Sequence, residues 1–381
     1  MSLAHSPSIV TNGLAMYYDM ANTARSFKGM PTTNLISIPN WNNSMSGWAG
    51  WFWVTGTTVM DSVNVLFSGV SVLQGTITGT ATGGPAYLDL GGLSTTLGTT
   101  YAVSIWFKSS SRGCYAYSHD TLGAGNATGN TIVANGTWQK STYVFTVVST
   151  TGAMRIHLVA SGGAVGDIIY ATAPQVEQTA FASPFVIGTR SNTQSLLDLT
   201  NNNSLTSTSL TYASDNTFSY NGSNYVNTGY NAALTDFTVG VWFKDTGTPG
   251  YGRIIDKLYT TGMMLMRNST TAHSWGGGVL EPGGPYGIFL TLTDGQWHYL
   301  VSVRSGTTHT LYGDGVTNTI SNTVSSAALN SNQFFIGTWS DNASPSQSFV
   351  GSVPVVQIYN RARTATEVAQ NFNALRGRYG V

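Results

Sequence analysis

The stretch FTVGVWFK, residues 237–244, decides the fold of this chain. Phe237, Val239, Val241 and Phe243 occupy every second position and share one side of the strand. Thr238, Gly240, Trp242 and Lys244 lie between them and share the other side. Two later stretches, TDGQWHYLVSV (293–303) and HTLYGDG (309–315), alternate in the same period of two. Side chains of a strand point to opposite faces in turn, so the pattern predicts two-faced strands in a stacked antiparallel sheet. Asp294-Gly295 and Asp314-Gly315 lie where hairpin turns require a positive φ.

The chain is predicted to end in a short amphipathic helix. Thr364 and Glu367 have the spacing of a capping box, in which each side chain bonds the other residue's backbone N–H. Val368, Phe372 and Leu375 then fall on one stripe of the helix surface. A helix this short persists only when it packs against a larger body.

The order of these motifs resembles a known family. Strand-WFK, DGQWH-strand, LYGDG, FIGT (335–338), a strand ending in IYNRA (358–362) and a helix follow one another as in concanavalin A-like jelly rolls of the laminin-G type. The variant that it most resembles occurs in structural proteins of tailed phages, particularly those of marine cyanobacteria. The resemblance covers roughly the last 190 residues and implies an all-β chain of two antiparallel β-sandwich (jelly-roll) domains plus the short C-terminal α-helix.

A second unit is predicted to interrupt this domain. The opening IVTNGL (9–14) resembles the first strand of the same jelly roll, whose continuation appears only at GTRSNTQSLLDLTNNNSLT (188–206) and then runs into FSYNGSNYVNTGY (218–230). Between them, TNLISIPN (33–40) and IIYATAPQVEQTAFASPF (168–185) resemble the two ends of a carbohydrate-binding jelly roll. We therefore expect residues 1–31 to hold an arm and the first strand, 32–187 the insertion and 188–381 the remaining jelly roll. Alternatively, residues 1–30 form an arm that docks on another subunit.

The composition argues against several partners and compartments. Charged residues make up 8% of the chain, against a usual value of ~25%, and 16 basic residues balance 16 acidic ones. No basic stripe for nucleic acid and no apolar stretch of ~20 residues for a membrane is present. The lone Cys114 rules out an internal disulfide. The opening MSLAHSPSIV lacks the charged and apolar regions of a secretory signal, so we expect synthesis in the host cytoplasm and location in the virion.

The acidic residues favour binding over catalysis. A glycosidase needs two carboxylates across the scissile bond. Of the three glutamates, Glu367 is explained by the helix cap and Glu177 lies in the closing strand of the insertion, which leaves Glu281, and no strand has the alternating acids of an ExDxE pattern. We therefore predict that the protein is not an enzyme, with a polysaccharide depolymerase acting through Glu281 as the remaining alternative. The laminin-G resemblance implies calcium as a candidate cofactor, held by loop carboxylates. The candidate ligands are Asp198, Asp215, Asp245 and Asp341.

Aromatic residues are the candidates for contact with glycans. Sugars offer apolar C–H faces and a rim of hydroxyls, which an exposed ring and neighbouring amides recognise. A cluster of tryptophans opens the predicted insertion, and further aromatic residues occur in two other places. The candidates are Trp48, Trp51 and Trp53, then Tyr115 and Tyr117, then the loop candidates Tyr259, Trp275 and Trp339. Packing or a subunit interface is the alternative role of the tryptophan cluster.

The resemblance implies a virion structural protein, a fibre or decoration subunit that attaches a phage to glycans on its host. It implies a homotrimer that contacts other virion proteins, in which three weak sugar contacts combine into avidity. The N-terminal dozen residues are the predicted docking segment. The alternative is a purely architectural capsid, neck or tail protein that binds no sugar.

Overall fold

The computed structural model describes most of the chain and divides it into two compact units. The described residues are 8–22, 25–38, 41, 51–52, 56–79, 86–120, 127–148, 154–160, 164–207, 211–212, 218–246, 250–257, 261–268, 271–279, 287–339 and 347–381. The first unit consists of Met1–Met30 and Asn192–Val381, and the second of Pro31–Ser191.

Short strands account for nearly all of the regular structure. Those before residue 191 are β1 (Leu14–Asp19), β2 (Thr32–Thr33), β3 (Trp51–Phe52), β4 (Gly56–Asp61), β5 (Val72–Ile77), β6 (Ala86–Leu93), β7 (Thr100–Lys108), β8 (Cys114–Asp120), β9 (Ala127–Thr128), β10 (Gln139–Thr146), β11 (Met154–Ala160), β12 (Ile168–Glu177) and β13 (Thr189–Arg190). After them come helix α1 (Asn192–Ser195), β14 (Thr206–Ser207), β15 (Thr211–Tyr212), β16 (Phe218–Asn221), β17 (Val226–Asn227), β18 (Phe237–Asp245), β19 (Arg253–Asp256), β20 (Met263–Arg267), β21 (Ser274–Val279), β22 (Ile288–Thr291), β23 (Trp297–Ser305), β24 (Thr308–Gly313), β25 (Asn318–Thr323), β26 (Phe335–Ile336), β27 (Val350–Tyr359) and helix α2 (Ala365–Tyr379). None of the helices in the described ranges is long and apolar enough to cross a membrane.

The first unit is a sandwich of two antiparallel sheets. One sheet has the order β15-β16-β27-β18-β23-β24-β25, with β1 also paired to β27, and the other has the order β14-β17-β26-β19-β20-β21-β22. The core between them contains Phe237, Val239, Val241 and Phe243 from β18, which is the apolar side that the sequence predicted. The predicted all-β jelly-roll sandwich with a C-terminal helix is confirmed for this unit.

Strand β1 joins the first residues of the chain to this sheet. Its residues from Leu14 to Asp19 pair with the second half of β27, while β16 pairs with the first half. Met16 and Tyr18 are fully buried in the core, and the Tyr18 hydroxyl donates to the carbonyl of Val353 at 2.8 Å. The chain therefore needs its N-terminal strand to complete a sheet whose other members come after residue 210.

The other face of β18 is covered by helix α2. Trp242 is fully buried there and stacks on Tyr299, Phe372 and Tyr379, with ring centroids 5.2, 5.6 and 4.4 Å away. The predicted capping box is confirmed, since the Thr364 hydroxyl accepts from the Glu367 N–H and the Glu367 carboxylate accepts from the Thr364 N–H. Both faces of β18 are therefore shielded from solvent, one by the second sheet and the other by the helix.

The segment before β1 lies on this same helix. The Val10 N–H donates to Asn371 Oδ1 at 2.8 Å, and the carbonyl of Val10 accepts from the Tyr359 hydroxyl at 3.0 Å and from Arg363 at 3.1 Å. Gln370 donates to the carbonyl of Ser8. Residues 8–12 of the predicted docking segment are thus used within the protein itself, and residues 1–7 lie outside the described ranges.

One of the two predicted hairpin turns is wrong. Asp314 and Gly315 both have positive φ and join β24 to β25, which pair with each other as expected. Gly295 also has a positive φ, but the strands on either side of it, β22 and β23, belong to different sheets. Alternating polarity does not tell two neighbouring strands of one sheet from two strands that cross the sandwich, and the turn residues suit both.

Acid is expected to weaken the attachment of helix α2. The Glu367 carboxylate accepts a hydrogen bond from the Arg361 guanidinium and another from the Thr364 N–H, and it lies near the charge of Arg363. These interactions, the first most of all, lower its pKa from 4.5 to about 2. A lowered folded pKa contributes stability that is complete above pH 4.5 and is lost as the pH falls toward 2. We expect Glu367→Gln to lower the free energy of unfolding by about 1–2 kcal/mol at pH 7 and by much less at pH 3, as measured by urea unfolding. An equal loss at both pH values would contradict this expectation.

The second unit is also built from two antiparallel sheets. Their strand orders are β10-β7-β12-β5-β4 and β3-β6-β11-β8-β9, and β2 and β13 form a small pair of their own. Its separate core includes Val103, Ile105 and Phe107 from β7. Glu177 ends β12 fully buried and accepts hydrogen bonds from Gln175 and from the N–H and hydroxyl of Ser183. The acid that the sequence placed in the closing strand is thus engaged in holding the following turn.

Candidate functional site

A pocket of about 420 Å³ opens on the side of the second sheet of the first unit. Strands β19, β20 and β22, together with the segments that flank them, provide its walls. The residues that line it are Tyr251, Arg253, Met264, Met266, Asn268, Gly287, Phe289 and Gln347. This volume lies in the range of pockets that hold small organic ligands.

The apolar part of the pocket lies across strand β21, whose middle residues are glycines. Met264 and Met266 on β20 form a small cluster with Phe289 on β22, separate from the main core. Strand β21 runs between β20 and β22 and carries three glycines in succession, Gly276 to Gly278. Gly276 is opposite Met266 of β20 on one side and opposite Phe289 of β22 on the other, and these side chains pack together across β21. The result is a recess bounded by thioether and aromatic groups.

A bulge in β19 provides the charged part. The register between β19 and β20 shifts between Arg253 and Ile255, so that Arg253 faces Met266 and Asp256 faces Met264. Ile254 and Ile255 are both fully buried in the core, as expected where one extra residue is inserted. Residues three apart, Arg253 and Asp256, thereby come onto one face of the sheet, where they form an ion pair.

The guanidinium of Arg253 is fixed on several sides. Its side chain is 3% exposed, and its Nε donates to Gln347 Oε1 at 3.0 Å. Nη1 lies 3.2 Å from the sulfur of Met264, and the guanidinium carbon lies 4.4 Å from the centre of the Trp339 ring. Because the side-chain oxygen of Gln347 accepts the hydrogen bond from Arg253, the NH2 group of the same amide is its hydrogen-bond donor. The pocket therefore combines apolar walls with the Gln347 and Asn268 amides, the Tyr251 hydroxyl and a charge-compensated arginine.

Of the aromatic residues that the sequence predicted in this unit, Trp339 comes nearest the pocket. It is half-buried and stacks on Arg253, which lines the pocket. The predicted loop position of Trp275 is wrong. This residue lies in β21, is 0% exposed and donates from its indole N–H to Asp294 at 3.0 Å. Tyr259 lies outside the described residues.

The described candidates in the second unit, Trp51, Tyr115 and Tyr117, belong to one sheet. Tyr115 and Tyr117 on β8 are half-buried and alternate with Cys114, Ala116 and Ser118, which are fully buried. The two tyrosines therefore lie on the outer face. Trp51 occupies a register position opposite Leu88, in the row that continues through Leu158 to buried Ala116.

Phe52, by contrast, is opposite Tyr87, in the row that continues to Tyr115. Trp48 and Trp53 lie outside the described residues.

The predicted calcium ligands that the structure describes are engaged in the fold. Asp198 is buried and accepts from the N–H of Tyr17, and from the backbone and side chains of Thr200 and Asn203. Asp245 is buried in an ion pair with Arg267 at 2.9 Å. Asp215 and Asp341 lie outside the described ranges, and within those ranges no three His, Cys, Asp or Glu side chains gather as a metal site would require.

Sequence reasoning missed most of the pocket. Its apolar cluster consists of Met264, Met266 and Phe289, whereas the aromatic candidates from the sequence were tryptophans and tyrosines at other positions. The alternation in MMLMR (263–267) gives a signal, since Met264 and Met266 share the side opposite Met263 and Leu265. The bulge that brings Arg253 beside Asp256 has no comparable signal in the sequence.

The comparison with protein families concerns the unit that carries this pocket. Residues 218–369 match the profile of the Concanavalin A-like lectin/glucanases superfamily. The fold is a concanavalin A-like jelly roll. The matched stretch of the jelly roll contains every residue that lines the pocket. No curated protein matches the sequence.

Solved structures that are similar to this chain have low sequence identity to it. One is domain 4 of AbnA, an extracellular arabinanase from Geobacillus stearothermophilus, in complex with arabinotriose. It is 17% identical over 46% of this chain and 91% of that chain, with a TM-score of 0.34. Another is the CBM40 of Ruminococcus gnavus IT-sialidase bound to α2,3-sialyllactose, 13% identical over 36% of this chain and 82% of that chain, with a TM-score of 0.31.

Proposed function

We propose that this protein is a glycan-binding subunit of a tailed-phage particle and that the pocket beside Arg253 is its sugar site. The observation that supports the binding role is the composition of the pocket. Met264, Met266 and Phe289 form its apolar wall, and Gln347 and the other polar groups stand around it. A pyranose or furanose ring has the same two kinds of surface, C–H faces and hydroxyls.

The place of this protein in a virion is proposed from its sequence. The order of motifs resembles that of phage structural proteins, and the low share of charged residues, 8%, suits a chain whose surface is partly covered by neighbours. Attachment to host glycans, a homotrimer and contacts with other virion proteins belong to the same proposal. A purely architectural role is the second candidate, and it requires that the folded protein bind no sugar.

The proposed activity is binding without hydrolysis. Asp256, the acid nearest to the lining side chains described, is buried in its ion pair with Arg253. A glycosidase needs one carboxylate as acid and a second as base or nucleophile. Glu281, which the depolymerase alternative requires, lies outside the described residues. Incubation of a bound glycan with the protein, followed by chromatography, is expected to release no shorter sugar.

The double variant Tyr251→Ala/Phe289→Ala is expected to lose glycan binding. Tyr251 is 44% exposed and Phe289 is half-buried, so the change removes two ring surfaces of the pocket and leaves the main core intact. We expect affinity for the best glycan of an array to fall by about tenfold or more in calorimetric titration of the full chain, as for truncation of central aromatic contacts.

A matched control separates this effect from a general loss of structure. Val316→Ala changes an exposed residue in the same unit, away from the pocket, and is expected to bind as the unchanged protein does. Wild-type affinity in a folded Tyr251→Ala/Phe289→Ala variant would remove the pocket from the proposal. In that case Tyr115→Ala/Tyr117→Ala would test the outer face of the second unit.

A further inference from the structure

The part of the pocket lining that the structure describes includes one charged side chain, and that charge is already compensated. Among the described residues that line the pocket, Arg253 is the one with a charged side chain. Its guanidinium is paired with Asp256, which is itself 0% exposed. The two groups lie on the same face of the sheet because of the bulge between Arg253 and Ile255. The pair therefore presents hydrogen-bonding groups to the pocket with no net charge.

The neighbouring cation, Lys257, does not change the charge compensation between Arg253 and Asp256. Lys257 follows Asp256 in the chain, but its ammonium donates to the carbonyl of Asn332 and lies 4.6 Å from the ring centre of Phe334. Phe334 belongs to the core between the two sheets. Lys257 thus lies on the core side of β19, opposite the side of the pocket. The other polar groups that the described lining residues contribute, from Asn268, Gln347 and Tyr251, are amides and a phenol.

We propose that this pocket selects uncharged sugars and excludes sugar acids, and that the Arg253–Asp256 ion pair is the device that sets this preference. The inference rests on the proposed glycan-binding function and specifies its substrate class. A uronate or sialate entering the recess would lose the hydration of its carboxylate. It would find a guanidinium already engaged by Asp256, and it would bring a second negative charge close to that buried acid.

A neutral sugar has no such conflict. Its hydroxyls accept from the amide of Gln347 and donate to neutral oxygens, while its C–H face lies on Met264, Met266 and Phe289. The ion pair also keeps Arg253 in place, since a guanidinium fixed by Asp256, Gln347 and the Trp339 ring cannot turn toward an incoming anion without breaking these contacts. Selectivity then comes from an unfavourable contact with the wrong ligand as well as a favourable contact with the right one.

The test compares acidic sugars with uncharged counterparts. Oligogalacturonides are titrated into the full chain as free acids and as fully methyl-esterified forms, and lactose is compared with sialyllactose, all at one ionic strength. For each pair of ligands in which binding is detected, we expect the uncharged member to bind at least about tenfold more tightly than the acid. Equal or tighter binding of the acids would overturn the selectivity while leaving glycan binding in place. A folded protein that binds no glycan on an array or in these titrations would overturn the proposed function, and the selectivity with it.

A substitution that removes the negative charge of Asp256 tests the role of the ion pair. Asp256→Asn keeps the size of the side chain and leaves the Arg253 charge uncompensated, so the preference for the neutral ligand is expected to fall by about tenfold or to reverse. Asp236→Asn, the same change at an exposed acid of this unit, is the control and is expected to leave the preference unaltered. An unchanged preference in a folded Asp256→Asn variant would contradict the role of the pair. If that variant does not fold, the comparison of ligands on the unchanged protein decides the preference by itself.

Discussion

Removal of residues 1–30 is expected to prevent the first unit from folding. Strand β1 places Met16 and Tyr18 in the core, and Met20 follows them there, all of them 0% exposed. Deleting a large buried side chain costs about 2–5 kcal/mol, and a domain is stabilised by only about 5–15 kcal/mol in total. Loss of the three together, with the hydrogen bonds from β1 to β27, exceeds what the remaining strands can supply.

An internal deletion provides the matched control for this truncation. In a chain that runs from residue 1 to 30, continues through a short Gly-Ser linker and resumes at residue 192, β1 is retained and the second unit is absent. The Lys28 N–H donates to the carbonyl of Ser195 at 2.8 Å, so the ends to be joined are already adjacent. We expect cooperative urea unfolding, followed by far-UV circular dichroism, for this chain and not for residues 192–381 alone. Cooperative unfolding of 192–381 with the same midpoint would refute the requirement for β1.

Trp242→Ala is expected to be the most destabilising single substitution of those considered. Its ring is fully buried between the sheet and helix α2, with Tyr299, Phe372 and Tyr379 around it. Truncation of a buried tryptophan leaves a cavity and costs about 3–5 kcal/mol, to which the lost ring contacts add. Because these rings belong to α2 and to the sheet beneath it, we expect the helix to become less protected from hydrogen exchange.

Trp138→Ala is the control for this substitution, since Trp138 is half-buried in the second unit. It is expected to leave the exchange of α2 amides unchanged. The measurement is hydrogen exchange with mass spectrometry, together with the free energy of unfolding. A Trp242→Ala variant with wild-type protection over residues 365–379 would show that the helix is held by other contacts.

Strands and helix could be predicted because their signals are local. The alternation from Phe237 to Lys244 depends only on neighbouring residues, and so does the box formed by Thr364 and Glu367. Which strands lie side by side is not a local property. Asp294-Gly295 has the residues of a hairpin turn, yet it carries the chain from one sheet to the other. The difference lies in contacts with residues that are distant in sequence.

The pocket was harder to predict, since three separate features produce it. A bulge places Arg253 beside Asp256, side chains of β20 and β22 meet across the glycines of β21, and Gln347 reaches Arg253 from a different part of the chain. Each alone is ordinary in a β-sandwich. Tryptophan content was a poor guide, because Trp242 and Trp275 fill the interior of this unit while methionine lines the recess.

The junction at Lys28 and Ser195 also determines how the protein responds to a protease. A single cut anywhere in residues 31–191 would yield two polypeptides on a denaturing gel. Under native conditions they would remain together, because β1 pairs with β27 and the backbone of residue 28 bonds that of residue 195. The nicked protein would therefore migrate as one species until it is unfolded, and it would not readily reassemble once the two pieces have diffused apart.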